Sequence, residues 1–232
     1  MRRALATLAL SLWLSAPAAA AVDETLVYRW RLDGFLGALA GLFVPSGGEG
    51  LLTLERLPDG NFRSELRITS NERAGGDYFL YGAEWDPATG TTIRAWSNQR
   101  WRGEEKSKRA EVGQAGVVDI ATAVFVLRRD PPRAPRQLEI WSEGKLYPVL
   151  VVPHGVEHRR RGDRELEVRH YSVRGYRLPD RRLWKGQLDL WFAEDGAATP
   201  VEILVARSAA RVRLELVDSR PAAPPADEGD GQ

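Results

Sequence analysis

The sequence predicts an all-β, mainly antiparallel protein: a curved meander sheet or open β-barrel of about eleven or twelve strands with one packed helix. Three observations lead to this prediction. Apolar and polar residues alternate with a period of two along most of the chain, turn signals recur at short intervals, and one stretch shows helical spacing. Strands with one apolar and one charged face are typical of antiparallel sheets that meet water on one side.

The chain begins with the three parts of an export signal. A positive start at Arg2 and Arg3 is followed by an apolar run over residues 4–14 and then by small residues. We expect cleavage after Ala20 or Ala21, which places the protein in the periplasm, or outside the cell in a host without an outer membrane. The apolar run is too short to span a membrane, so no transmembrane segment is expected after signal cleavage.

Three regions follow from composition: a signal peptide at 1–21, a single β-rich domain at 22–219 and a disordered tail at 220–232. The tail contains Pro, Ala, Gly and acidic residues without aromatics, which cannot bury enough surface to fold. The chain has no Cys, which excludes thiol nucleophiles and cysteine zinc sites. With 33 basic and 32 acidic residues it has no basic excess, so we expect no nucleic-acid partner.

The first strand shows the alternation clearly, because Leu26, Tyr28, Trp30 and Leu32 share one face while arginines take the other. Similar patterns recur to the end of the chain, and turn residues separate them. Turns are predicted at Pro58-Asp59-Gly60-Asn61, Asp86-Pro87 with Thr89-Gly90, Glu143-Gly144-Lys145, Gly162-Asp163 and Asp195-Gly196.

Two segments depart from the β pattern. Residues Asp119 to Arg128 have apolar residues at helical spacing, with Asp119 as the N-cap and Pro131 beyond the end, so we predict a helix there. The apolar, glycine-rich stretch from Gly34 to Val44 fits a short helix, a covering loop or the lip of a ligand cavity.

The order of these features resembles an exported bacterial family, the domain of unknown function 3108, across nearly the whole chain after the signal. The resemblance implies export and a β-rich, barrel-like fold with a helix. The family carries no established activity, so it supplies no catalytic residue. The matching features are a Leu-x-Tyr opening strand, Gly48-Glu49-Gly50, Ser64 to Ser70, the Asp119 helix ending in Leu127-Arg128, Gly144-Lys145-Leu146-Tyr147, Leu190 to Asp195 and Thr199 to Ile203.

The three histidines offer the best test for a metal site. With a two-residue turn at 162–163, His154 faces Tyr171 and shares a water-facing side with His158, while His170 falls on the opposite, buried face. His154 and His158 are then too far apart for one ion, so we expect no metal. No nucleophile-elbow, phosphate-loop or dinucleotide motif occurs, so we also expect no catalytic residue, no cofactor and no enzyme activity.

Tryptophan is abundant, and seven of the eight Trp residues follow the signal, several of them beside Arg. Such rings either fill a broad core or contact a ligand. Trp191 alternates with the apolar Leu190 and Phe192, which places it on the outer face or in a barrel mouth. The candidate ligand-binding residues are Trp30, Trp85, Trp96, Trp101 and Trp191.

We therefore expect a non-catalytic envelope protein that binds a lipid-like or amphipathic ligand, because sheets that curl often enclose apolar cavities. Two alternatives remain open. One is an envelope assembly or glycan-binding structural protein that uses a Trp/Arg surface. The other is a hydrolase of cell-wall glycan that uses paired carboxylates. A lipid or a glycan is the expected partner, and protein partners are left undefined.

Overall fold

The structure, a computed structural model, describes residues 21–33, 47–70, 76–161, 163–207 and 210–221. The predicted signal peptide up to residue 20, the segment from Gly34 to Val44 and the predicted tail beyond residue 221 lie outside this part. The strands are β1 (Ala21–Leu32), β2 (Gly47–Arg56), β3 (Phe62–Ser70), β4 (Tyr78–Asp86), β5 (Thr91–Trp101), β6 (Glu104–Ala115), β7 (Val117–Val118), β8 (Arg136–Ser142), β9 (Lys145–Arg161), β10 (Arg164–Gly175), β11 (Gly186–Ala193), β12 (Pro200–Arg207) and β13 (Ala210–Pro221), and α1 is Ile120–Arg129.

The thirteen strands of the described residues form one sheet in the order β6-β5-β4-β3-β2-β1-β13-β12-β11-β10-β9-β8-β7. The sheet thus consists of two meanders, one from each half of the chain, which are joined where the first strand pairs with the last. Every pair is antiparallel except β7 with β8, which is parallel. The predicted all-β barrel-like class is confirmed, and the two-residue β7 is among the strands that raise the number above eleven or twelve.

Alternation places the apolar residues as the sequence predicts. In β1, Leu26 and Tyr28 are fully buried and Trp30 is nearly so, while Arg29 between them is exposed. The Tyr28 hydroxyl group donates a hydrogen bond of 2.8 Å to the Pro200 carbonyl oxygen, which satisfies its one polar group within the core.

The helix α1 lies on the inner side of the curved sheet. The Asp119 carboxylate caps it by accepting a hydrogen bond of 2.8 Å from the backbone N–H of Thr122, as predicted, and the helix ends one residue after the predicted Arg128. Seven of its ten residues are buried, so it fills the barrel. The Thr122 and Ser64 hydroxyl groups lie 2.7 Å apart and join the helix to β3. No helix among the described residues has the length and apolar content needed to cross a membrane.

The two edges of the sheet overlap. Ile140 and Trp141 are neighbours on β8 and point to opposite faces, with Ile140 in the main core and Trp141 packed against Ala83 and Ala95. Ala83 pairs with Ser64 and therefore faces the inside of the sheet. The outward face of β8 thus packs on the inward face of β4 and β5, and small alanine side chains permit that approach.

Hydrogen bonds at β7 hold the overlap together. The Thr92 hydroxyl group of β5 donates to the Val117 carbonyl oxygen at 2.6 Å, and the Glu139 N–H of β8 donates to the Gly116 carbonyl oxygen at 2.9 Å. The two edges of the barrel are therefore joined by side-chain packing and by hydrogen bonds at the short strand β7, rather than by continuous backbone hydrogen bonding between two edge strands.

Candidate functional site

The structure does not bring the five predicted Trp residues together. Trp30 and Trp85 belong to the main core, Trp96 and Trp191 point outward, and Trp101 lies at the far end of β5 beside Phe79. None of the five is exposed. They therefore do not form one aromatic platform, and each contributes to a different part of the surface or core.

Trp85 lies at the floor of an open cleft at the end of the barrel where α1 terminates. The cleft has a volume of about 610 Å³, and its apolar floor comes from four elements. Leu54, Phe62 and Phe125 complete this floor, and the Phe62 and Trp85 rings pack with centroids 5.5 Å apart. The structure brings Leu54, Phe62 and Trp85 of three strands to Phe125 of the helix, a meeting that alternation within single strands does not predict.

Three arginines form the rim of this cleft: Arg56, Arg128 and Arg129. Arg128 forms an ion pair with Glu24, whereas Arg129 donates a hydrogen bond of 2.8 Å to the Pro87 carbonyl oxygen. The guanidinium group of Arg56 is exposed, lies over the Phe62 ring at 5.1 Å from its centroid and forms an ion pair of 3.3 Å with Asp23. The cleft thus combines an apolar floor with a rim in which three arginines outnumber the one lining carboxylate, Glu24.

Trp191 lies on the outer face, within the predicted alternatives, but it is only 4% exposed. The His170 ring stacks on it with centroids 4.5 Å apart, and the Arg159 guanidinium group lies 4.5 Å from the indole centroid. The indole N–H donates to the Glu157 carboxylate. Because neighbouring side chains cover this ring, a ligand would stack on it only after Arg159 moves away.

The prediction for His154 is wrong. A bulge at Gly155, whose φ is +88°, shifts the register so that Tyr171 pairs with Pro153 rather than with His154. His154 therefore shares a face with His170 and stacks on its ring with centroids 4.5 Å apart. Its Nε2 atom lies 2.7 Å from the Ser172 hydroxyl oxygen.

His170 also differs from prediction, because it lies on the outer face and not among the main core residues. Its Nε2 atom lies 3.2 Å from the carboxylate of Asp189, which is 3% exposed. Burial raises the pKa of Asp189, but hydrogen bonds from His170, Gln187 and Arg174 outweigh it and lower the pKa to about 2. This network stabilises the outer surface of β10 and β11.

The described residues hold no group of three or more His, Cys, Asp or Glu side chains arranged to bind a metal ion. Another buried carboxylate, Glu84, forms ion pairs with Arg63 and Arg94.

Burial raises the pKa of the N-cap Asp119 to about 6, although hydrogen bonds from Thr122 oppose the shift. Asp119 is 1% exposed, so its carboxyl group serves the helix rather than a solvent-filled site.

These features define a β-barrel-like protein with a helix packed inside its sheet. A solved structure with a similar fold is the crystal structure of a β-barrel-like protein of the domain of unknown function DUF1849 from Brucella abortus. It has 10% sequence identity and a TM-score of 0.51, and the match covers 89% of this chain and 100% of that chain. No family model and no curated protein matches the sequence. At this identity the likeness shows the fold alone, and membership of the domain of unknown function 3108 family stays a prediction.

Proposed function

We propose that this protein is a non-catalytic binder of an amphipathic molecule with an apolar chain and an anionic head group. The observation that carries the proposal is the cleft at the end of α1, where Phe62, Trp85 and Phe125 form an apolar floor below Arg56 and Arg129. Its volume lies in the range of small-molecule sites, which are mostly apolar with a few polar groups at defined positions.

The packing of the barrel interior supports an end site rather than an internal one. Leu52, Leu66, Leu190 and Leu214 point into the barrel and are fully buried, and Leu127 of the helix fills the space between the strands. Because interiors of this kind are close-packed, an alkyl chain enters with least rearrangement at the cleft. The ligand then lies along the open end of the sheet with its acidic group at the arginine rim.

The head-group preference tests this assignment directly. We expect dodecanoate to bind one site on the purified protein more tightly than dodecanol, which has the same chain without the charge, in isothermal titration calorimetry. The double variant Arg56→Gln with Arg129→Gln should lose that preference, because it removes two positive charges from the rim; both side chains are exposed, so the fold should be retained. Arg182→Gln, an exposed arginine outside the cleft, is the matched control and should keep it.

Equal affinity of the wild-type protein for dodecanoate and dodecanol would refute the head-group assignment. If the double variant kept its preference for dodecanoate, the binding site would not be the cleft. Native mass spectrometry of protein purified from an envelope extract provides a second readout, since a carrier should retain an amphipathic molecule near one per chain.

We further propose that the protein acts in the cell envelope after export. Strand β1 begins at Ala21, so cleavage of the signal after Ala20 leaves the whole strand intact. Fractionation of cells, followed by N-terminal sequencing, should recover a chain that starts at Ala21 or Val22 in the periplasmic or secreted fraction. Recovery of an uncleaved chain from the cytoplasm would contradict this location.

A further inference from the structure

Lysine is rare in this chain and is concentrated in one place. Of the 33 basic residues only four are Lys, and three of these four, Lys106, Lys108 and Lys145, line a single pocket. The fourth, Lys185, lies elsewhere, between Trp184 and β11. The pocket is separate from the arginine-rimmed cleft and shares no lining residue with it.

The overlap of the two sheet edges creates this pocket. Lys106 and Lys108 of β6 lie directly opposite Gln99 and Ser97 of the neighbouring strand β5. The two lysine side chains therefore lie on the same inward face of the sheet. The turn between β8 and β9 approaches this face, because a Cβ atom on Gly144 would lie 3.7 Å from the Lys108 side chain. The turn thereby brings Lys145, which follows it, to the two lysines of β6.

The charges of these lysines are incompletely balanced. Lys106 lies 3.6 Å from the Glu104 carboxylate, but among the described residues neither Lys108 nor Lys145 forms an ion pair. Glu143 is the acidic side chain in the pocket lining. Three positive groups at one concave site raise the local concentration of anions, and they repel one another when no anion is bound.

Aromatic and hydrogen-bonding groups continue from the lysines toward the end of β5. A smaller pocket of about 200 Å³ shares Gln99 and Lys106 with the lysine pocket and is lined by Phe79 and Trp101. The Phe79 and Trp101 rings pack with centroids 6.0 Å apart. The site thus provides a cationic part of about 420 Å³ next to an aromatic part, and it matches a ligand that joins an anionic group to a sugar ring.

We propose that this lysine pocket binds a phosphorylated sugar, with the phosphate at Lys106, Lys108 and Lys145 and the sugar ring toward Trp101. A phosphate carries up to two negative charges on one group, and lysine binds phosphate as a point charge without a fixed geometry. Gln99 and Glu104 line the aromatic part and provide hydrogen-bonding groups for the ring hydroxyls. The ligand is a polar one, so this site is independent of the proposed amphipathic cleft.

The test is a calorimetric titration of the purified protein with three probes: glucose 6-phosphate, inorganic phosphate and glucose. We expect glucose 6-phosphate to bind at least tenfold more tightly than either fragment, since it alone engages both parts of the site. The double variant Lys108→Gln with Lys145→Gln should weaken its binding at least tenfold. Lys185→Gln, which removes the lysine outside the pocket, should leave the affinity unchanged.

Each remaining outcome overturns a defined part of the proposal. If inorganic phosphate bound as tightly as glucose 6-phosphate, the sugar ring would contribute nothing to the affinity, and the aromatic part would not belong to the site. Equal losses in the Lys185 variant and the double variant would show a general charge effect, and no measurable binding of any probe would refute the site. Dodecanoate binding should persist in the double lysine variant, which separates this result from the test of the cleft.

Discussion

The helix cap Asp119 provides a quantitative test of how burial shapes this protein. Its Oδ1 atom accepts the Thr122 N–H at 2.8 Å, but its Oδ2 atom is buried without a hydrogen-bond partner. A capping carboxylate usually gains from the helix dipole, which favours the ionised form. At this position desolvation is the larger effect and raises the pKa from 3.8 to about 6.

The sign of the pH dependence follows from that shift. Because the folded-state pKa is raised, the associated stability is fully present below the unfolded pKa and is lost as the pH rises through the folded pKa. A shift of about two units corresponds to roughly 3 kcal/mol between the protonated and ionised limits, of which about 2 kcal/mol falls between pH 4 and pH 7. Asp119→Asn keeps a good N-cap residue and removes the titration.

Urea unfolding of the wild-type protein and the Asp119→Asn variant, followed by Trp fluorescence at pH 4, 5, 6 and 7, measures the effect. We expect the free energy of unfolding of the variant to rise relative to wild type by about 2 kcal/mol over this range. Other titrating groups are present in both proteins and cancel in the difference. A difference that is constant with pH, or that changes in the opposite direction, would refute the dominance of desolvation.

Two further predictions concern packing and backbone geometry. Ala95→Leu should lower the free energy of unfolding by about 1–3 kcal/mol, because Trp141 of the overlapping edge leaves no space for a larger side chain; thermal unfolding equal to wild type would argue against the overlap. Gly155→Ala should destabilise the protein by about 1 kcal/mol purely through its φ of +88°, since an added Cβ meets nothing within 4 Å. An alanine variant as stable as wild type in urea would show that the bulge tolerates a side chain.

Local structure in this protein could be predicted from the amino-acid sequence alone. Alternation with a period of two identified Leu26, Tyr28 and Trp30 as inward-facing, because successive side chains of a strand must point to opposite faces. The helix and its cap at Asp119 were predictable from spacing and from the hydrogen-bonding capacity of one carboxylate. Both signals depend on residues a few positions apart, so they can be read without the fold.

Contacts between residues distant in the chain depend on the tertiary fold and could not be predicted in this way. A single extra residue at the Gly155 bulge moved His154 beside His170, because a one-residue shift of register reverses the face of every following side chain. The gathering of Lys106, Lys108 and Lys145 depends on overlap of the two sheet edges, which pairing within either meander does not require. Sequence patterns indicate which face of a strand a residue occupies. Closure of the sheet is a long-range property: it packs Trp141 against Ala83 and Ala95, and it places the binding residues together.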